Sequence, residues 1–184
     1  MLAMRVIAGI AKGRKLVAPK GDRVRPTSDK VKGAVFNVLA QYGPFTSFLD
    51  LFAGSGAMGI EAWSRGIRRV AFVEKDRVAF RSLRANLQAV GLEGARVLAT
   101  DWQIALRQLA GETFDVIYAD PPFFAGLYPL ILKEVREHKV LSREGILCLE
   151  HPQRLQLDYG DGWSLLKAKR YGDTVVTFLS PSAE

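Results

Sequence analysis

Between Phe48 and Glu150 the sequence switches five times between a short apolar run and a stretch with helical spacing. The apolar runs cover 48–52, 70–73, 95–99, 114–119 and 146–150. Helical stretches lie between them, around Ile60–Arg65, over Phe80, Leu83, Leu87 and Val90 up to Gly91, over 102–109 and over 130–135, with Pro129 in the last one's first turn. Parallel neighbours in a sheet need a long crossover, usually a helix. Strands alternating with helices therefore predict a parallel sheet covered on both faces. Two further strands, 164–168 and 174–179, flank the turn Tyr171-Gly172-Asp173 and predict an antiparallel hairpin that adds an edge. The 184 residues, 48% of them hydrophobic, suit one domain with an appendage. No apolar run approaches the roughly 20 residues that span a bilayer, and the N-terminus does not read as a signal peptide. Cys148, the single cysteine, lies inside an apolar run and reads as a core residue of a reducing compartment.

The charge is placed unevenly. The net charge is +7, and residues 1–32 alone, with nine Lys or Arg against Asp22 and Asp29, account for all of it. A basic arm on a neutral body points to a polyanion partner. Val6-Ile7-Ala8 and Lys15-Leu16-Val17 read as the strands of a hairpin, with Gly9, Lys12, Gly13 and Arg14 in its loop. A helix follows, capped by Thr27 or Ser28, with Val31, Val35, Val38 and Tyr42 on one face and Gly43-Pro44 as its stop. The division expected is a basic extension over 1–25 and a catalytic domain over 26–184.

In open α/β sheets ligands bind beyond the carboxyl ends of the strands. Four strand ends carry the candidates: the loop Asp50-Leu51-Phe52-Ala53-Gly54-Ser55-Gly56 with Gly59, Glu74-Lys75-Asp76, Asp101-Trp102, and Asp120-Pro121-Pro122-Phe123. Gly54, Gly56 and Gly59 keep the G-x-G-x-x-G spacing of dinucleotide sites, but Asp50 stands beside them and no Lys or Arg follows in the first turn. An acid there repels a pyrophosphate and suits a cationic ligand, S-adenosylmethionine. Glu74, at the end of the second strand, reads as the acceptor for ribose hydroxyls. Asp101 reads as an acceptor for an adenine amino group, as a helix N-cap, or as both, with Trp102 packing on the ring. The two prolines of Asp120–Phe123 fix the backbone and remove two donors. The Asp120 carboxylate and the Pro121 carbonyl then make a pair of acceptors for an exocyclic amino group, and Phe123 offers a ring on which a base stacks. His138 and His151 lack metal-ligand spacing and read as surface or supporting residues.

These motifs resemble the class I S-adenosylmethionine-dependent methyltransferases, through the glycine loop Asp50–Gly56, and their amino-group methylating members, through Asp120–Phe123. The basic hairpin, Arg25-Pro26-Thr27 with its helix, and Arg170-Tyr171-Gly172-Asp173-Thr174 resemble the bacterial 16S rRNA guanine-N2 methyltransferases of the RsmD type. The likeness runs from about Arg5 to Phe178. It implies a Rossmann-like seven-stranded, mostly parallel sheet in the order 3-2-1-4-5-7-6, with the last strand antiparallel. It implies methyl transfer to the exocyclic N2 of one guanine of small-subunit (16S) ribosomal RNA, in an assembled or nearly assembled 30S particle. A cytoplasmic monomer without a metal is expected. Asp50, Phe52, Ala53, Gly54, Ser55, Gly56, Glu74, Lys75, Asp101 and Trp102 would hold S-adenosylmethionine. Asp120, Pro121 and Phe123 would hold the unstacked guanine. Arg5, Lys12, Arg14, Lys15, Arg25 and Thr27 would meet the RNA. Three rivals stay open: a DNA adenine or cytosine amino-methyltransferase, an NAD-dependent oxidoreductase, and a non-catalytic RNA-binding assembly factor.

Overall fold

The computed structural model describes residues 4–21, 28–124 and 126–183. The chain divides into two compact units, Met1–Trp102 and Gln103–Glu184.

In the first unit, β1 (Met4–Arg5) and β2 (Lys15–Leu16) pair antiparallel, Met4 opposite Leu16 and Arg5 opposite Lys15. The first strand thus lies ahead of the expected Val6–Ala8. Val6 exchanges hydrogen bonds with the loop instead, donating to the Arg14 carbonyl at 2.9 Å and accepting from the Gly13 N–H at 2.8 Å. The next N–H, that of Ile7, goes to a side chain, Glu61, and the ladder stops. Helix α1 (Asp29–Leu39) starts at Ser28, whose hydroxyl accepts from the Val31 N–H at 3.2 Å. It buries Lys32, Val35, Phe36, Val38 and Leu39. Tyr42 falls beyond the helix and is exposed, so the expected apolar stripe is shifted by one residue at its start and shortened at its end.

Strands β3 (Ser47–Asp50), β4 (Arg69–Val73) and β5 (Arg96–Leu98) are parallel and lie in the order β5-β4-β3. Helix α2 (Ala57–Ser64) crosses between the first two and α3 (Arg77–Val90) between the last two. Asp76 caps α3, accepting from the Ala79 N–H at 2.8 Å, and Gly91 ends it in the left-handed region.

Helix α4 (Trp102–Gln108) follows β5. In the second unit, β6 (Phe114–Ala119) and β7 (Leu141–Pro152) are parallel, joined through α5 (Leu127–Glu137). Helix α5 begins three residues ahead of the expected Leu130. Pro129 is its third residue, still in the first turn, where a missing N–H costs no intrahelical bond. The closing hairpin is β8 (Trp163–Tyr171) and β9 (Thr174–Pro181), with Tyr171 opposite Thr174 across the two-residue turn Gly172-Asp173. Gly172 takes φ 60°, as such turns require. Strand β9 also runs antiparallel to β7 and buries Val176, Phe178 and Leu179, while β8 forms the edge, with Lys169 and Arg170 exposed on it.

The seven-stranded sheet has the order β5-β4-β3-β6-β7-β9-β8. Counted from β3 this is 3-2-1-4-5-7-6 with the last strand antiparallel, the arrangement of the class I methyltransferases. Among the described residues no helix is long and apolar enough to cross a membrane.

Candidate active site

The glycine loop is held from below. Asp50 ends β3 with only 2% of its surface exposed, and its Oδ2 accepts from the Gly59 N–H at 3.0 Å. Burial pushes its pKa up to about 7, against the Gly59 hydrogen bond and with help from the charge on Glu74. Gly56 and Gly59 are packing glycines. A Cβ on Gly56 would sit 2.3 Å from Leu83 Cδ1, and one on Gly59 2.3 Å from Phe72 Cε1. Gly54 differs: it has φ 55°, and a Cβ there would meet nothing within 4 Å. Its side of the loop is open to a ligand's approach.

Glu74 closes the loop from the end of β4. One carboxylate oxygen accepts from the Gly54 N–H at 2.7 Å and the other from the Asp76 N–H at 2.8 Å. A carboxylate has about four lone-pair sites, so capacity for two hydroxyl donors remains. Lys75 Nζ lies 3.7 Å from Asp101 Oδ2, an exposed ion pair. Trp102 is buried, its ring 6.0 Å from that of Phe52, which makes it a wall rather than a projecting platform. Ala53 and Ser55 are buried in the loop. Carboxylates and open backbone, with no basic side chain from Asp50 to Gly59, fit a ribose attached to a cation better than a pyrophosphate.

The basic hairpin is seated on the same unit by buried polar groups. The Ile7 N–H donates to both carboxylate oxygens of fully buried Glu61, each at 3.1 Å. Ser64 donates to the Ala8 carbonyl at 2.6 Å and accepts from the Ala11 N–H at 2.9 Å. Asn86, 1% exposed, accepts from the Val17 N–H at 2.7 Å and donates to the carbonyls of Val17 and Ser55, each at 2.9 Å. One α3 side chain therefore ties the end of the hairpin to the glycine loop. Lys12, Arg14 and Lys15 point outward and are exposed, whereas Arg5 pairs with Asp29 at 3.2 Å. Lys32 is a correction to the basic arm. Only 1% exposed, it donates to the Arg5 carbonyl at 2.6 Å, and burial holds its pKa down despite nearby Glu61 and Asp29. Arg25 and Thr27 lie outside the described residues.

In the second unit β6 delivers Asp120, half-buried, and then Pro121, buried. Phe123 is 41% exposed. The turn is pinned by the Phe124 N–H donating to the Pro122 carbonyl at 2.9 Å and the Leu127 N–H to the Phe124 carbonyl at 2.9 Å. Tyr118 donates to a Glu150 carboxylate oxygen, and Tyr128 to the Glu150 carbonyl at 3.3 Å. Burial, with the charges of Glu150 and Asp120 adding, raises the pKa of both tyrosines, so they stay neutral donors.

The model of a family described as conserved hypothetical protein 95 matches residues 4–180. Ribosomal RNA small subunit methyltransferase D of Haemophilus influenzae is 36% identical over 172 residues, 92% of this chain and 89% of that one. The chain belongs to this RsmD-type family of ribosomal RNA methyltransferases. A solved hypothetical protein of Thermus thermophilus superposes with a TM-score of 0.83 at 33% identity, over 96% of this chain and 99% of that one. The fold is shared with an RNA methyltransferase of Salinibacter ruber solved with S-adenosyl-L-homocysteine, at a TM-score of 0.66, 18% identity and coverages of 87% and 96%.

Family members are thus methyltransferases of small-subunit ribosomal RNA on an S-adenosylmethionine-type fold. Sequence reasoning missed several residues of this site. Glu150 had a signal: it closes the apolar run 146–150, much as Glu74 and Asp101 follow theirs, although β7 itself continues to Pro152. Tyr118 and Tyr128 read as core. His151 is no surface residue: it is buried, with Nε2 2.8 Å from Thr177 Oγ1 and its pKa lowered by burial. Cys148 is buried as expected, its thiol pKa pushed up by desolvation. Among the described residues no group of three or more His, Cys, Asp or Glu could hold a metal.

Proposed function

We propose that this protein methylates the exocyclic N2 of one specific guanine in 16S ribosomal RNA, acting on an assembled or nearly assembled small subunit. The observation that carries the reading is the rigid Asp120-Pro121-Pro122-Phe123 turn at the end of β6, in a chain of the ribosomal RNA methyltransferase family. Asp120 and the Pro121 carbonyl accept the two N2 hydrogens and so aim the nitrogen lone pair. Phe123 stacks the unstacked base. A pair of acceptors at this turn suits an exocyclic amino group, which brings two N–H donors on one nitrogen. The choice of guanine over adenine or cytosine rests on the family resemblance.

S-adenosylmethionine supplies, when bound, a methyl group made electrophilic by the adjoining sulfonium. Glu74 would take its ribose hydroxyls, the open backbone at Gly54 its close approach, and Asp101 the adenine amino group, with Lys75, Phe52 and Trp102 around them. Asp50 holds the loop by accepting from the Gly59 N–H. No side chain acts as a nucleophile, so the protein's contribution is positioning, and the proton released from nitrogen passes to water or to Asp120. Arg5, Lys12, Arg14, Lys15, Arg25 and Thr27 would hold the RNA backbone. A ribosomal substrate implies work in the cytoplasm.

Mapping the methylated base of 16S RNA in cells with and without the gene tests the reading directly. The expected result is the loss of a single N2-methylguanine, restored by the wild type and not by Asp120→Ala. Methylation of DNA alone would instead support the amino-methyltransferase rival. Calorimetric binding of NADH without S-adenosylmethionine would overturn the cofactor, and an intact modification in the Asp120→Ala strain would leave an assembly factor.

A further inference from the structure

Phe123 does not present two bare faces. The guanidinium of Arg154 lies over its ring, 4.6 Å from the centroid. Arg154 sits just beyond the end of β7 and is exposed. Beside this pair in sequence, Phe124 is 69% exposed on a turn whose backbone is hydrogen-bonded through both its N–H and its carbonyl. A phenylalanine this exposed offers a ring on which a planar group can stack. The position of Arg154 is informative too. A guanidinium over a ring keeps its five N–H donors for hydrogen bonding, and these suit a phosphate.

We propose that Phe124 and Arg154 form a subsite for the nucleotide adjoining the target guanine, with the neighbouring base on the Phe124 ring and the connecting phosphate on the Arg154 guanidinium. The partner is an unpaired stretch of RNA, because a base held in a duplex stack does not offer its face to a side chain. The inference rests on the proposed base-binding role of Phe123 and extends it by one nucleotide. Gripping the neighbour would hold the strand open while the target base stays out of the stack. The subsite would also select targets with an unpaired flanking base.

The test uses the full-length protein, a short single-stranded RNA carrying one guanine, and intact small subunits. Phe124→Ala should weaken RNA binding about tenfold, in the range for one stacked base, with no change in its salt dependence. Arg154→Ala should weaken binding and reduce the slope of log K against log salt by about 0.7, the value for one phosphate of a single strand. Both losses should fall on KM for RNA rather than kcat, with S-adenosylmethionine affinity unaltered. Phe124→Trp should restore binding, and Arg154→Lys should keep the salt slope but not the full affinity. Leu165→Ala removes another exposed apolar side chain, on β8, and should alter none of these. RNA affinity unchanged in both alanine variants, or lost equally in Leu165→Ala, would overturn the subsite. Because oligonucleotide binding is read without turnover, failure of the guanine-N2 assignment would appear separately, as wild-type protein that binds RNA yet methylates another position.

Discussion

The side-chain amide of Asn86 holds the carbonyl of Ser55 at 2.9 Å and, with its remaining donor and its oxygen, both backbone groups of Val17. Ser55 belongs to the glycine loop and Val17 ends the basic hairpin. Removing the amide would leave buried backbone groups of both without a partner. Asn86→Leu is expected to cost about 2–4 kcal/mol, a fall in Tm of roughly 5 to 15 °C, readable by thermal unfolding. Cofactor affinity should fall with it, because the loop loses its brace.

Asp50 makes stability depend on pH with an unusual sign. Its folded-state pKa is raised from 3.8 to about 7. Between those values the folded protein keeps a proton that the unfolded chain has released. Stability from this group is therefore full below about pH 4, declines as pH rises toward 7, and is flat above, a span of about 4 kcal/mol. Asn in its place still accepts from Gly59 and does not titrate. The difference in unfolding free energy between wild type and Asp50→Asn should vary across that window, and denaturant titrations at pH 4.5, 6 and 7.5 would check it. A difference independent of pH would mean Asp50 is ionised throughout.

Glu74 supports Gly54 and is assigned the ribose, so Glu74→Ala should weaken S-adenosylmethionine binding at least tenfold by calorimetry. RNA affinity should be little altered, since the hairpin is anchored through Glu61, Ser64 and Asn86.

The exposed charges of the hairpin separate from its anchors. Replacing Arg14 and Lys15 by Gln should weaken RNA binding and lower the salt slope by about 1.5 to 2, with cofactor affinity and Tm unchanged. Glu61→Gln acts the other way. It unsettles Lys32, Arg65 and the Ile7 N–H together, so its main effect should be on stability, a loss of about 1–3 kcal/mol read as a fall in Tm.

Much of the molecule was legible because its signals are local. Strand and helix periodicity placed β6 at 114–119 and α3 up to Gly91, and Ser28, one of the two caps expected for α1, is the cap. The glycine spacing left the role of Gly59 open between helix-to-strand packing and the turn, and its contact with Phe72 shows packing. Boundaries slipped where a distant group intervened: β1 ends early because Glu61 takes the next N–H.

Residue order alone was enough for the parallel sheet, the acids at its ligand edge and the rigid Asp120–Phe123 turn, since each follows from spacing along a few residues. The roles of the polar side chains came from the folded chain. Lys32 counts as one more positive charge in the sequence and is a buried donor in the fold. Asn86 reads as an ordinary helix residue and joins the hairpin to the glycine loop. Arg154 carries no motif and covers Phe123. Their partners are distant in sequence. Which donor meets which acceptor is fixed by packing once water is excluded, and no local pattern records it.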